Sequence, residues 1–397
     1  MRDFLHHART FHAYLVEIRR DLHRHPELSF NEHRTAAAVA RELEELGLEP
    51  RTGVGGTGVV ADLPLGAGSG AGPVVALRAD MDALPLTETN ETDYRSTSPG
   101  VMHACGHDAH TTMLIGAARL LVEGQAAGTS LPGTVRLLFQ PAEERSDADN
   151  RSGARHLLDA DVLEGVSAIF ALHVGPHLPA GKVFTCPGPM MAGNDTFQAR
   201  VLGSGSHGAR PDAGVDAVVL AAHVVLAAQN AVARRISPMD AGVLTIGTVR
   251  GGTAENILAD QVTLEGTLRY FDPAVRRRLR EALRQALAVA DALGGAHELD
   301  LRDGYPPTTN DAAMAELALE AARELLGPDG AMPAAPMMGA EDFAFFLRRV
   351  PGALMWLGAA PADRPRELHR PDMDIDEDVL PVGAAVLAAC AARALTD

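Results

Sequence analysis

Val74-Val75-Ala76-Leu77-Arg78-Ala79-Asp80-Met81-Asp82 reads as an apolar strand that runs into two carboxylates. The same design recurs twice downstream. Val135 to Gln140 leads into Glu143 and Glu144, and Ile169 to Leu172 leads into His173. A fourth strand is expected near Thr57 to Leu63, with helices near Ala109 to Leu121 and Gly153 to Leu158 between the strands. Short β-branched runs alternating with helical patterns predict an α/β fold with a mixed, largely parallel sheet and flanking helices. Ligands of open α/β sheets gather beyond the carboxyl ends of the strands, so the polar residues that end these strands are expected to converge.

Working outward, Ser29 and Glu32 have capping-box spacing before a helix through Ala36, Val39, Ala40, Leu43 and Leu46, with Gly47 at its stop. The Gly/Ala/Ser-rich stretch from Gly66 to Gly72 reads as a surface turn. Around Pro187 to Gly193 the pattern changes to strand, long helix, two strands, helix and strand, close to a split βαβ unit. After about Ala296 the α/β pattern resumes, with helices near Asp311 to Leu326 and Asp376 to Leu395. The expected organisation is a discontinuous catalytic domain, residues 1–186 and 298–397, interrupted by a smaller inserted α+β lid over residues 187–297.

The chain has 397 residues, 35 Lys+Arg against 52 Asp+Glu, and a formal charge of −17. At roughly 100 to 200 residues per domain, this length fits two or three domains. The excess of carboxylates and the lack of basic blocks argue against nucleic acid or an anionic membrane surface as partner. Lys182 is the only lysine, which leaves Walker-type phosphate loops and Schiff-base chemistry without a placed amine. Three cysteines and an N-terminus without a secretory pattern suggest a reducing compartment, the cytoplasm. The apolar runs are interrupted or fall short of the roughly 18 residues needed to span a bilayer. Gly53, Gly55 and Gly58 match a dinucleotide fingerprint but lead into a strand, and Gly203, Gly205 and Gly208 lack the acidic residue that should follow.

The densest set of ligand-type side chains is His103-Ala104-Cys105-Gly106-His107-Asp108-Ala109-His110. Thiolate and imidazole are borderline-soft donors, whereas the carboxylates suit harder ions, so the mixed set accepts Zn, Mn, Co or Ni, with zinc the first expectation. Alone, Cys105 would be a small buried hydrophobe and the histidines locally bonded. Beside acidic pairs at strand ends that reading weakens, because unpaired buried charge is costly. In an extended loop Glu143 and Glu144 point opposite ways, so one binds metal while the other faces water. Metal-assisted hydrolysis needs that division of labour.

Taken with Leu22-His23-Arg24-His25-Pro26-Glu27-Leu28, Phe139-Gln140-Pro141-Ala142-Glu143-Glu144, Leu172-His173-Val174-Gly175-Pro176, Gly339-Ala340-Glu341-Asp342-Phe343 and Leu368-His369-Arg370-Pro371, these motifs cover nearly the whole chain. They resemble the aminoacylase, hippurate hydrolase and indoleacetyl-amino-acid hydrolase branch of the dimetal carboxypeptidase and amidohydrolase superfamily. The resemblance implies a zinc-exopeptidase-like catalytic domain in which Cys105, His107, Glu144, His173 and His369 bind two divalent metal ions. It makes Glu143 the general base and acid. Cys105 is the candidate bridging ligand, and Asp82, where the wider superfamily has a His-x-Asp pair, is an orienting residue. In the lid it places His207 against the tetrahedral oxyanion and Asn256 near the substrate carboxylate, and it implies a homodimer or higher homo-oligomer formed through the lid. The implied reaction is hydrolysis of an N-acyl amino acid. A dipeptidase or carboxypeptidase on the same scaffold, or a non-catalytic metal- or amino-acid-binding relative, are the alternatives.

Overall fold

The computed structural model describes residues 3–66 and 72–396. The turn expected over Gly66 to Gly72 therefore lies largely outside the described residues. In chain order the first elements are α1 (Asp3–Thr10), α2 (His12–Arg24), α3 (His33–Glu45), β1 (Arg51–Val54), β2 (Gly58–Pro64), β3 (Val74–Asp80), α4 (His107–Ala126), β4 (Thr134–Gln140), α5 (Gly153–Asp159), β5 (Val166–Gly175), β6 (Val183–Thr185) and β7 (Gly188–Met191). Then come β8 (Gly193–Leu202), α6 (Ala217–Arg235), β9 (Gly242–Gly251), β10 (Gln261–Tyr270), α7 (Pro273–Ala292) and β11 (Ala296–Asp303). The chain closes with β12 (Thr308–Asn310), α8 (Ala312–Leu326), β13 (Ala331–Pro333), α9 (Ala344–Leu347), β14 (Gly352–Gly358) and α10 (Leu380–Thr396).

The chain forms two compact units. One takes the described residues of Met1–Met190, Thr308–Ala335 and Asp342–Asp397; the other takes Met191–Pro307 and Pro336–Glu341. The first is built on an eight-stranded sheet of order β1-β2-β4-β3-β5-β14-β6-β13. Its centre is parallel, with β3 beside β4 and β5, and β14 beside β5. Helices α4 and α10 are buried along most of their length among the residues that pack on this sheet. Strand β14, a central member of the sheet, carries no sequence signal strong enough to have been expected: Gly352-Ala353-Leu354-Met355-Trp356-Leu357-Gly358 has no β-branched residue.

The second unit is an antiparallel sheet of order β11-β8-β10-β9 with its own apolar core shared by α6 and α7. Its limits differ from the expected 187 and 297. Strand β11 pairs with β8 from Ala296↔Leu202 to Asp303↔Asp195, so the sheet retains the chain well past 297. Among the described residues two helical segments, α6 and Glu377–Thr396, are long and apolar enough by length and composition to cross a bilayer, although His223 interrupts the first as the sequence indicates. The second of these is core: α10 lies buried in the first unit, which accounts for its apolarity.

Two local expectations are corrected. Ser29 does not cap α3; its hydroxyl donates to Asp82 Oδ2 at 2.6 Å. Glu32 occupies the N-cap position without capping, and its carboxylate instead accepts from the backbone N–H of Phe30 and Ala142 and from the Thr57 hydroxyl.

Candidate metal centre

Strand β3 delivers Asp80 and Asp82, β4 leads into Glu143 and Glu144, β5 carries His173, and the N-terminus of α4 carries Cys105 and His107. The turn into α4 depends on Gly106, which has φ +90° and where a Cβ would fall 2.3 Å from Val174 Cγ2. Any other residue there would push the helix start off β5. His369 comes from a loop far along the chain and adopts a left-handed conformation, φ 60°. Its backbone N–H donates to Ala104 O at 2.7 Å, which pins the imidazole beside Cys105.

The five residues expected to hold metal come together. Cys105 Sγ lies 3.4 Å from His173 Nε2 and 3.4 Å from His369 Nε2. Glu144 Oε1 is 3.2 Å from His369 Nε2 and 3.9 Å from His107 Nε2. Among the described residues His107 Nε2 is buried without a hydrogen-bond partner, and Glu144 Oε1, also buried, has only the ion-pair contacts to His369 and His107. Leaving such atoms unpaired in protein is unfavourable unless a ligand engages them. The opposite nitrogens are committed elsewhere. His107 Nδ1 bonds Asp82 Oδ1 at 3.2 Å, and His173 Nδ1 bonds the Val174 carbonyl at 2.8 Å. Both rings thus present Nε2 to the cluster, the orientation that metal-binding imidazoles take from outer partners. This donor set, thiol, imidazole and carboxylate within reach of common centres, fits divalent cations. His369 is half exposed, which leaves the cluster an open side.

The local field is negative. Burial opposes charge on His107, yet Asp80 and Asp82 outweigh it and push the imidazole up to about 10. Burial and the carboxylates of Glu144, Glu143 and Asp80 push the Cys105 thiol well up. A cation at the cluster reverses that preference and favours the thiolate. Burial and the neighbouring His110 hold His173 well below its ordinary value, so its ring stays neutral and able to donate a lone pair.

His110 does not present a free nitrogen. Its Nδ1 bonds Asp80 Oδ1 at 2.6 Å and its Nε2 accepts the Val174 N–H at 2.8 Å. Asp80 is further bound by Arg78 NH1 at 2.6 Å, which fits a bracing role. Arg78 also reaches Gln140 and Asp342, and Asp342 accepts from Gln140 and from the Ala154 N–H at the start of α5. Asp82 acts as an organiser. It takes the His107 bond, the Ser29 hydroxyl and the backbone N–H groups of both Glu143 and Glu144.

That last contact corrects the expected alternation of Glu143 and Glu144. Ala142 sits at φ 49°, and the chain bends so that both following N–H groups aim at one carboxylate. Their carboxylates and His107 lie within 4.8 Å of one another rather than on opposite faces. Ser29, Arg78 and Asp342 are contributors whose roles sequence reasoning missed, although the last two stood inside noted motifs.

In the second unit, His207 and Asn256 are brought together with one another. The Gly208 N–H donates to Asn256 O at 2.7 Å, and His207 bridges to Ile257. Both side chains are exposed. His207 Nδ1 accepts the Ala209 N–H at 3.0 Å, which leaves the ring proton on Nε2.

The model of peptidase family M20/M25/M40 matches residues 76–393. The chain is 38% identical over 397 residues to the IAA-amino acid hydrolase ILR1-like 4 of Arabidopsis thaliana, covering 98% of this chain and 87% of that protein. It is 38% identical over 379 residues to the N-acetyl-L-cysteine deacetylase of Bacillus subtilis, covering 94% and 86%. Among solved structures, a dinuclear metal-binding peptidase from Bacillus subtilis is similar with a TM-score of 0.82, 36% identity and coverage of 98% and 99%.

Proposed function

This chain belongs to peptidase family M20/M25/M40, and on that premise we propose how its residues divide the work of amide hydrolysis. The protein is a metal-dependent hydrolase of the amide bond of N-acyl amino acids. Cys105, His107, Glu144, His173 and His369 would hold two divalent ions, zinc in the first instance, with Cys105 the candidate shared ligand. The convergence of these donors, with His107 Nε2 left without a hydrogen bond among the described residues, carries the assignment.

The chemistry such ions would supply when bound is Lewis acidity toward a water molecule and the scissile carbonyl. Glu143, held by its N–H on Asp82, would take a proton from the attacking water and return it to the leaving amine. Asp82 keeps His107 turned with Nε2 inward. In the second unit His207 keeps an Nε2–H and Asn256 a side-chain amide, the donors suited to a tetrahedral oxyanion and to a substrate carboxylate respectively, which are the roles proposed for them. A homodimer through this unit is supported by β9, a ten-residue strand at the open edge of its sheet, and by exposed Val218, Val219 and Leu226 on α6. Three free cysteines, with Cys390 deep in the core, agree with a cytoplasmic setting.

The test is Glu143→Gln assayed on acetyl, benzoyl and indoleacetyl amino acids, alongside dipeptides. Turnover should fall by about 10²- to 10⁴-fold with metal content unchanged. Full activity in that variant would remove Glu143 from the reaction, and a preference for dipeptides would favour the dipeptidase reading.

A further inference from the structure

Strands β5 and β14 are parallel neighbours, and their register sets Trp356 directly opposite His173. Trp356 is the only tryptophan in the chain and is 2% exposed. Its ring centroid lies 4.5 Å from that of His173 at an interplanar angle of 45°. On the turn after β5, the His177 ring stands 6.2 Å from the same indole. His173 is held at Nδ1 by the adjacent carbonyl and faces Cys105 with Nε2, and its ring is flanked at 4.5 Å by the Trp356 indole and by the His110 imidazole; His110 is itself fixed at both nitrogens, so the indole is the apolar surface against which the ring rests. The Trp356 N–H meets no acceptor among the described residues, so the indole costs an unpaired buried donor that a phenylalanine would not.

From this arrangement we propose that Trp356 is a positioning residue for His173, and that its indole reports optically on ions held there. The inference rests on the metal-binding reading above. An imidazole that lends its lone pair to a cation becomes electron-poor, and an adjacent indole face favours that state more than a phenyl face and much more than an alkyl group. Outer partners of metal-binding imidazoles set ligand orientation and affinity in this way.

Parent, Trp356→Phe and Trp356→Leu chains, all full length and stripped with chelator, separate this role from packing. Cobalt(II) titration of the parent should quench the tryptophan emission in step with metal uptake measured by elemental analysis, and chelator should restore it. Cobalt affinity, measured by competition with a chromophoric chelator, should fall about threefold in the Phe variant and about tenfold or more in the Leu variant. The metal-free Phe variant should melt within about 2 °C of the parent or above it, because an unpaired donor is removed. Cobalt uptake without quenching, equal affinities across the three chains, or affinities that merely follow the melting temperatures would overturn the proposal while leaving the metal reading intact. A parent chain that takes up no metal would overturn both.

Discussion

His107 and Asp108 are consecutive residues at the start of α4, and they point into two different kinds of buried charge. Asp108 belongs to a network whose centre is a protein cation. Arg19, fully buried, places Nε on Asp108 at 2.9 Å, NH1 on Glu377 at 3.2 Å and NH2 on Asp374 at 3.2 Å. His23 adds a 2.7 Å contact to Asp108, and Tyr94 covers the guanidinium with its ring 4.9 Å away. His107 belongs to a cluster with no such centre, in which carboxylates, imidazoles and a thiol face one another. Both sets are largely buried, apart from the half-exposed His369, and rich in carboxylates. The difference teaches that a charge cluster neutralised by the chain's own arginine locks elements together, whereas one whose middle is made of electron-pair donors is built for a ligand cation.

Replacing the centre of the first network is the severest way to test this contrast. Arg19→Ala should destabilise the fold by about 3–5 kcal/mol, because Asp108, Asp374 and Glu377 are left without their common partner. Urea unfolding measures it, and a change below about 1 kcal/mol would break the comparison. In the second cluster Cys105→Ala should act the other way round. Metal uptake should fail and turnover should drop at least about a hundredfold, while metal-free stability changes by less than about 1.5 kcal/mol, as for a small volume change in a core. A large loss of metal-free stability would make that cluster structural too.

The pH dependence of stability sharpens the contrast further. Burial raises the pKa of Asp108, but Arg19 and His23 outweigh burial and hold the carboxyl well below its ordinary 3.8. A depressed carboxylate contributes stability above its unfolded value that is lost as pH falls through the folded one. Burial and Arg19 lower His23, but Asp108 and Glu88 outweigh them and raise it above 6.5. That contribution is complete below the unfolded value and fades as pH rises through the folded one. Unfolding free energy of metal-free protein should therefore peak between about pH 4 and 6.5 from these two groups. His23→Gln should flatten the alkaline limb; an unchanged slope would show that the pair does not govern it.

The smallest of the expected effects concerns the inserted unit. Leu226→Glu on the exposed face of α6 should leave the stability of the chain within about 0.5 kcal/mol but shift a homodimer toward monomer in sedimentation. An unchanged oligomer would move the contact elsewhere.

Much of the candidate site was legible before the fold. The strand ends at Asp80, Glu144 and His173 and the Cys105–His107 pair announce themselves because ligand-type side chains follow apolar runs, a local pattern. His369 was legible only through motif resemblance, since it lies in a loop and its place is set by one hydrogen bond to Ala104. Ser29 was misread because a serine three residues before a glutamate satisfies the capping pattern equally well whether its hydroxyl turns to the helix or to Asp82. Glu143 and Glu144 were misread because the alternation rule presumes an extended backbone, and Ala142 is not extended. Strand β14 and Trp356 went unread for lack of β-branched residues.

The sequence by itself determined the α/β alternation, the insertion of a second unit and the chemical types that meet at the strand ends, because these follow from local periodicity and side-chain identity. Only the tertiary structure decided which nitrogen of each histidine faces the cluster and that His110 and Asp80 are bound up in bracing contacts. It also decided that Asp108 and His107 part company. Those outcomes depend on partners tens to hundreds of residues away, whose hydrogen bonds compete for the same atoms and exist only once the sheet is assembled.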